Sequence, residues 1–141
     1  MSWFVKNTVV SPVDFSAESI AAVDIALDAV AEPTGLHIVH VLPVQIPTDP
    51  ANWDPHHEQA RKEAAEQSLR ERFGAAKYRG AQMVVMFGDP GQEITDYALR
   101  NHADMIVLPS HGRTGLKRFL IGSVAERVCR LAHCPVLVIR S

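Results

Sequence analysis

Short apolar runs alternate with longer amphipathic ones along the chain. Residues 4–10 are rich in β-branched and aromatic side chains and stop at Ser11-Pro12, while 36–42 reads Leu-His-Ile-Val-His-Val-Leu and stops at Pro43. Residues 82–87 stop at Gly88, 105–108 stop at Pro109, and 136–139 follow Pro135. The last three runs are almost continuously apolar, as strands covered on both faces are. Helical periods fill the intervals. Ile20, Val23, Leu27 and Val30 share one helix face, with Ser16 as the N-cap and 33–35 as the stop. Residues 56–77 are rich in Ala, Glu and Arg and contain no proline, which predicts a long, solvated helix. Residues 92–101 follow a Gly88-Asp89-Pro90-Gly91 turn, and 123–131 carry Val124, Val128 and Leu131 on one face. Strand alternating with helix requires right-handed crossovers and a parallel sheet. The predicted fold is α/β: an open, doubly wound, five-stranded parallel sheet with helices on both faces.

A length of 141 residues predicts one domain spanning the chain. With 47% apolar and 21% charged residues the composition is that of a globular protein, not of a disordered chain or a coiled coil. A net charge of -2, with aromatics sparse and not interleaved with basic residues, argues against nucleic acid as a partner. No apolar run approaches the ~18 residues of a membrane span, and the first twelve residues lack a signal-peptide pattern. Cys129 and Cys134 are too few for a disulfide framework and read as a buried helix thiol and a loop thiol. The expectation is a soluble, cytoplasmic domain without membrane attachment.

Two connections exceed the usual ~4–6 residues. Residues 43–55 hold Pro43, Pro47, Pro50, Pro55 and Trp53, and 109–122 hold three glycines. Ligands of open parallel sheets bind beyond the carboxyl ends of the strands. Those ends carry Pro12-Val13-Asp14, Val41-Leu42, Gly88-Asp89 and the stretch from Pro109. The last reads Pro109-Ser110-His111-Gly112-Arg113-Thr114-Gly115 and, seven residues on, Gly122-Ser123 opens a helix. Glycines let backbone N–H groups approach an anion, and a helix start adds donors and partial positive charge. From 113 to 130 there are five basic residues against one acidic, a local net of +4. A polyphosphate site is one reading. A flexible connector leading into an ordinary basic helix is the other, and composition alone does not separate them. Neither a G-x-x-x-x-G-K-[ST] nor a G-x-G-x-x-G motif is present.

Taken together, 9–16 (Val-Val-Ser-Pro-Val-Asp-Phe-Ser), His40-Val41, Gly88-Asp89-Pro90, Ser110 to Gly115, 122–126 (Gly-Ser-Val-Ala-Glu) and 134–139 (Cys-Pro-Val-Leu-Val-Ile) resemble the universal stress protein family over nearly the whole chain. The resemblance implies a Rossmann-like sheet of order 3-2-1-4-5 and ATP or a related adenine nucleotide, with Mg²⁺, at the carboxyl edge. It also implies a regulatory role in stress. The family motif G-x2-G-x9-G-[ST] falls on Gly112, Gly122 and Ser123 with its nine-residue spacer intact. Its first glycine falls on Pro109, which has no N–H to donate and leaves only a carbonyl. By resemblance, Pro12, Val13, Asp14 and Val41 take adenine and ribose. Gly112, Arg113, Gly122, Ser123 and Val124 take the phosphates, with Pro109 and Gly115 completing the loop. Ala125 lacks the hydroxyl some relatives carry. A slow ATPase or other nucleotide-dependent enzyme, and a family member that binds no nucleotide, are the alternatives.

Plainer readings stand beside these. Asp14 suits an Asx turn or helix cap, and Val41 suits a core strand. Ser110 and His111 are neighbours, which seldom pair as nucleophile and base, and no acid is identifiable to orient the histidine. His56 and His57 point about 100° apart on a helix, and His37 and His40 fall on opposite strand faces, so neither pair suits one metal. The run 136–139 is expected at a sheet edge, guarded only by Pro135 and Arg140. That predicts a homodimer through 136–140, antiparallel about a two-fold axis. The alternative is a monomer whose edge is covered by residues 43–55.

Overall fold

The computed structural model describes residues 4–112 and 121–140. Strands β1 (Val9–Pro12), β2 (Leu36–Leu42), β3 (Gln82–Phe87), β4 (Met105–Pro109) and β5 (Val136–Ile139) form one parallel sheet in the order β3-β2-β1-β4-β5. Helices α1 (Ala17–Ala29), α2 (Pro55–Arg72), α3 (Pro90–Arg100) and α4 (Ser123–Leu131) make the crossovers. Each strand divides its side chains between two layers, as the two-residue period demands. Val9, Leu36, Ile38, Met105 and Val107 pack with Val23 of α1 and Leu69 of α2. Val10, Val39, Ile106 and Leu108 pack with Ile94 of α3 and Val128 of α4. No described helix is long and apolar enough to cross a membrane.

The winding reverses at β1, from which the chain proceeds to β2 and β3 on one side and to β4 and β5 on the other. β1 pairs with β2 as far as Pro12↔Val39, but with β4 only at Val9↔Met105 and Val10↔Ile106. The two central strands therefore part toward their carboxyl ends. This is the switch point at which open α/β sheets form a ligand crevice.

Several element ends differ from expectation, and β1 also runs on through Ser11 to Pro12. The first strand starts at Val9, because the Asp104 carboxylate takes the N–H groups of Asn7 and Thr8 at 3.1 and 2.9 Å. Lys6 joins Val30 as an isolated bridge, and Phe4 and Val5 are exposed. The long helix stops at Arg72, where the Phe73 side chain turns into the core and Gly74 follows; Ala76–Tyr78 is a separate 3-10 turn. The helix expected from 92 starts at Pro90, with Asp89 as its cap: Oδ2 accepts from Gln92 N at 3.0 Å. The Ser16 cap is as expected, its hydroxyl accepting from Ser19 N at 3.1 Å.

Candidate functional site

One wall of the crevice is the turn that leaves β1. Val13 is buried; its N–H donates to Val39 O at 2.8 Å, and its C=O accepts from His40 Nδ1 at 2.6 Å. Asp14 N–H donates to Ser19 Oγ at 3.3 Å, while Asp14 Oδ1 accepts from Ser16 N at 3.0 Å. That last bond is the Asx turn read from the sequence. The other oxygen faces the opposite wall, for a Cβ placed on Gly112 would stand 2.7 Å from Asp14 Oδ2. Phe15 holds the turn with φ of 64°, in the left-handed region.

The second wall runs from β4 to α4. Ile106 and Ser110 donate their N–H groups to Pro135 and Ile139, so even positions of β4 face β5. Odd positions face β1, as the Val107 carbonyl does in accepting from Ser11 Oγ at 3.1 Å. Pro109 thus lacks its N–H on the side where pairing with β1 has already ended, and the substitution of the motif's first glycine costs no sheet bond. Gly122 N donates to Ser110 O at 2.5 Å and closes the base of the loop. Arg113 and Gly115, named for the phosphates, lie outside the described residues, as do Lys117 and Arg118.

Helix α4 begins at this closure, with Gly122 as an N-cap that makes no side-chain capping bond. Its first intrahelical bond is Glu126 N to Gly122 O, so the N–H groups of Ser123, Val124 and Ala125 have no acceptor within the helix. Ser123 and Val124 are exposed there, and the helix start adjoins Gly112. Donors and dipole together suit an anion.

The third contribution is from β2. Val41 is half-buried on the α3–α4 layer. It lies two residues past Val39, whose carbonyl serves the β1 side, so its backbone turns the same way beyond the end of β1. Core packing and a backbone edge toward the crevice are both satisfied by this one residue.

Charge is less concentrated than the sequence implied. Arg127 Nε stands 2.9 Å from Asp89 Oδ2, an ion pair not angled as a hydrogen bond, and Arg130 pairs with Glu126. Arg127 also lies over Gly91, where an added Cβ would meet its Cδ at 2.6 Å. Both arginines are thus engaged along α3 and α4. Contrary to expectation, Ser110 Oγ and His111 Nδ1 are within hydrogen-bond distance, at 3.2 Å. The serine is 3% exposed, so its hydroxyl is not presented to a substrate. Cys129 is exposed, not buried, because it points about 100° away from the buried Val128 on α4. His37 and His40 do occupy opposite layers: His37 Nδ1 meets Tyr97 OH at 2.6 Å, and His40 meets Val13. The sequence reading missed His40, Phe15 and Ser19 as supports of Asp14. The Ser16-x-x-Ser19 spacing was the available signal for the last.

The description "Universal stress protein family" belongs to a family model that matches residues 6–140. A universal stress protein of Methanocaldococcus jannaschii is 37% identical over 94% of this chain and 81% of its own. YxiE of Bacillus subtilis, also described as a universal stress protein, is 32% identical over 90% and 92%. Among solved structures, the universal stress protein UspA from Lactobacillus plantarum superposes with a TM-score of 0.78 at 27% identity, covering 95% of this chain and 97% of that one. A universal stress protein solved in complex with cAMP gives a TM-score of 0.67 at 25% identity, covering 95% and 97%.

Proposed function

The chain belongs to the universal stress protein family, and from that premise we propose that it binds ATP or a related adenine nucleotide between β1 and β4 and acts as a regulatory module in a stress response. The observation that carries the proposal is the approach of Asp14 Oδ2 to Gly112 across the switch point, beside a helix start with three N–H groups free of intrahelical acceptors. In this reading the Asp14 carboxylate accepts from the ribose hydroxyls. Pro12 and the Val41 backbone flank the base, and Val13, whose N–H and C=O are both engaged, supports them from beneath. Gly112, Gly122, Ser123 and Val124 receive the phosphates, with Arg113, Pro109 and Gly115 as the remaining loop positions. Mg²⁺ would arrive with the nucleotide and offset phosphate charge. It would be held by the phosphate oxygens it neutralises. The solved relative with cAMP supports an adenine nucleotide without choosing between cyclic and triphosphate forms.

Calorimetry on nucleotide-stripped protein tests the proposal, with Mg²⁺–ATP and cAMP titrated separately. Saturable heat with either is expected, and no heat at millimolar concentration of both would remove it. Regulation is preferred to catalysis because in-line hydrolysis needs a positioned and activated water, and this reading assigns no described side chain to that task. A slow ATPase replaces this reading if turnover survives purification and collapses in Asp14→Ala.

The same reading includes a cytoplasmic location, where adenine nucleotides are made and spent, and a homodimer through 136–140. β5 is an edge strand with Leu137 40% exposed. Residues 43–55 do not cover that edge: they are tied to α2 through Arg61 Nη2 to Pro43 O at 3.1 Å, and α2 crosses to β3 at the opposite edge. Light scattering is expected to give a dimer mass that Val138→Pro reduces to a monomer.

A further inference from the structure

We propose that His40 is a positioning residue for the candidate nucleotide site: its Nδ1–H holds the Val13 carbonyl and thereby fixes the turn that aims Asp14 at Gly112. The proposal rests on the nucleotide reading for its functional consequence and on geometry for its structural one. A carbonyl oxygen only accepts, so at 2.6 Å from Val13 O the proton must be on Nδ1 of His40. The contact thus specifies a tautomer, with the Nε2 lone pair left over in the neutral ring.

β1 ends at Pro12, and beyond it β4 no longer pairs with the chain. Two consecutive residues of β2 take over. Val39 binds the Val13 N–H through its backbone, and His40 binds the Val13 C=O through its side chain. On the other side of Asp14, the Phe15 ring lies 4.9 Å from the imidazole, tilted by 58°. Phe15 is also the residue whose backbone has φ of 64°, a conformation that costs roughly 1–2 kcal/mol outside glycine and persists only where its surroundings enforce it. One imidazole therefore touches both neighbours of Asp14, the first by a hydrogen bond and the second by ring packing. Ser16 N and Ser19 Oγ hold Asp14 itself, from the α1 side. Without His40 the turn keeps only its backbone bond from Val13 N to Val39 O on the β2 side, Phe15 is free to leave the left-handed region, and the bond from Ser16 N to Asp14 Oδ1 loosens with it. The carboxylate then no longer faces Gly112.

The test uses the unsubstituted protein, His40→Leu and His40→Asn, the last because its Nδ2 sits where Nδ1 does. Imidazole ¹⁵N resonances of the unsubstituted protein are expected to report the Nδ1–H tautomer; the Nε2–H tautomer would overturn the proposal whether or not any variant folds. Hydrogen exchange at the Ser16 amide is expected to quicken about tenfold in His40→Leu, the worth of one hydrogen bond. His40→Asn is expected to restore it, with Ile38 and Ile106 unchanged in both. A fluorescent ATP analogue is expected to bind His40→Leu about tenfold more weakly and His40→Asn nearly normally. Unchanged exchange in His40→Leu, or equal losses in the two variants, would overturn the proposal. If the unsubstituted protein takes up no nucleotide, the nucleotide reading falls by itself, and the tautomer and exchange data decide the role of His40.

Discussion

The Asp14 carboxylate occupies the space that a side chain at residue 112 would need, with Oδ2 2.7 Å from where a Cβ on Gly112 would lie. A neighbour across the crevice, not a backbone angle, requires glycine there. Gly112→Ala should displace the end of a rotatable side chain, so the fold should lose less than about 1 kcal/mol. Nucleotide affinity should fall about tenfold or more, since the carboxylate must swing away. Thermal unfolding and calorimetry on the variant check both halves. Gly122→Ala differs in kind, because its added Cβ would press on the Ser110 carbonyl at 3.1 Å, a backbone atom that must give by only a little.

Pro109 has its nitrogen on the side of β4 where pairing with β1 has stopped. Pro109→Ala should therefore leave the Ser110 N to Ile139 O bond intact and cost only about 0.4–1 kcal/mol, through greater freedom of the unfolded chain. Chemical denaturation gives the number. Loss of protection at the Ser110 amide would mean that the ring holds β4 against β5.

The sheet was legible where both faces of a strand are covered. The runs 36–42 and 82–87 coincide with β2 and β3 because nearly every residue has a layer to enter, and 136–139 coincides with β5 although Leu137 is 40% exposed at the sheet edge. The run 4–10 misled because Asp104, nearly a hundred residues away, captures two N–H groups that a strand would have used. At the site, glycine and aspartate positions were readable from spacing, since a close approach and a turn each restrict residue type. The supports were not. No local pattern says that the Val13 carbonyl ends beside His40, or that Arg127 is taken up by Asp89 and so withdrawn from the basic segment.

His37 is half-buried against Tyr97 OH, and burial pushes its imidazole pKa below the ordinary value while burial raises that of the Tyr97 phenol. The unfolded chain therefore takes up the His37 proton before the folded one does. Its contribution to stability is present above the ordinary histidine range and is lost as pH falls through the folded value. Melting temperatures at pH 7.5 and 5.5 should separate less for His37→Asn than for the unsubstituted protein, although the variant starts lower at pH 7.5. A wider separation in the variant would reverse the sign.

The two thiols should react unequally. Burial, and then the Asp104 charge, raise the pKa of Cys134, whereas Cys129 is exposed on α4. A disulfide reagent at pH 8 should label one thiol per chain about tenfold faster than the other. Cys129→Ser should abolish the fast phase, and a fast phase that survives would place the reactive thiol at Cys134.

A crystal structure grown with Mg²⁺–ATP tests the site most directly. Density is expected between β1 and β4, with the ribose at Asp14, the base along Pro12 and Val41, and phosphates at Gly112 and the start of α4. The described residues offer a competing space of about 220 Å³ beside Ile46, Trp53 and His57, on the connection from β2 to α2. Nucleotide lodged there, or an empty crevice at saturating ATP, would contradict the assignment.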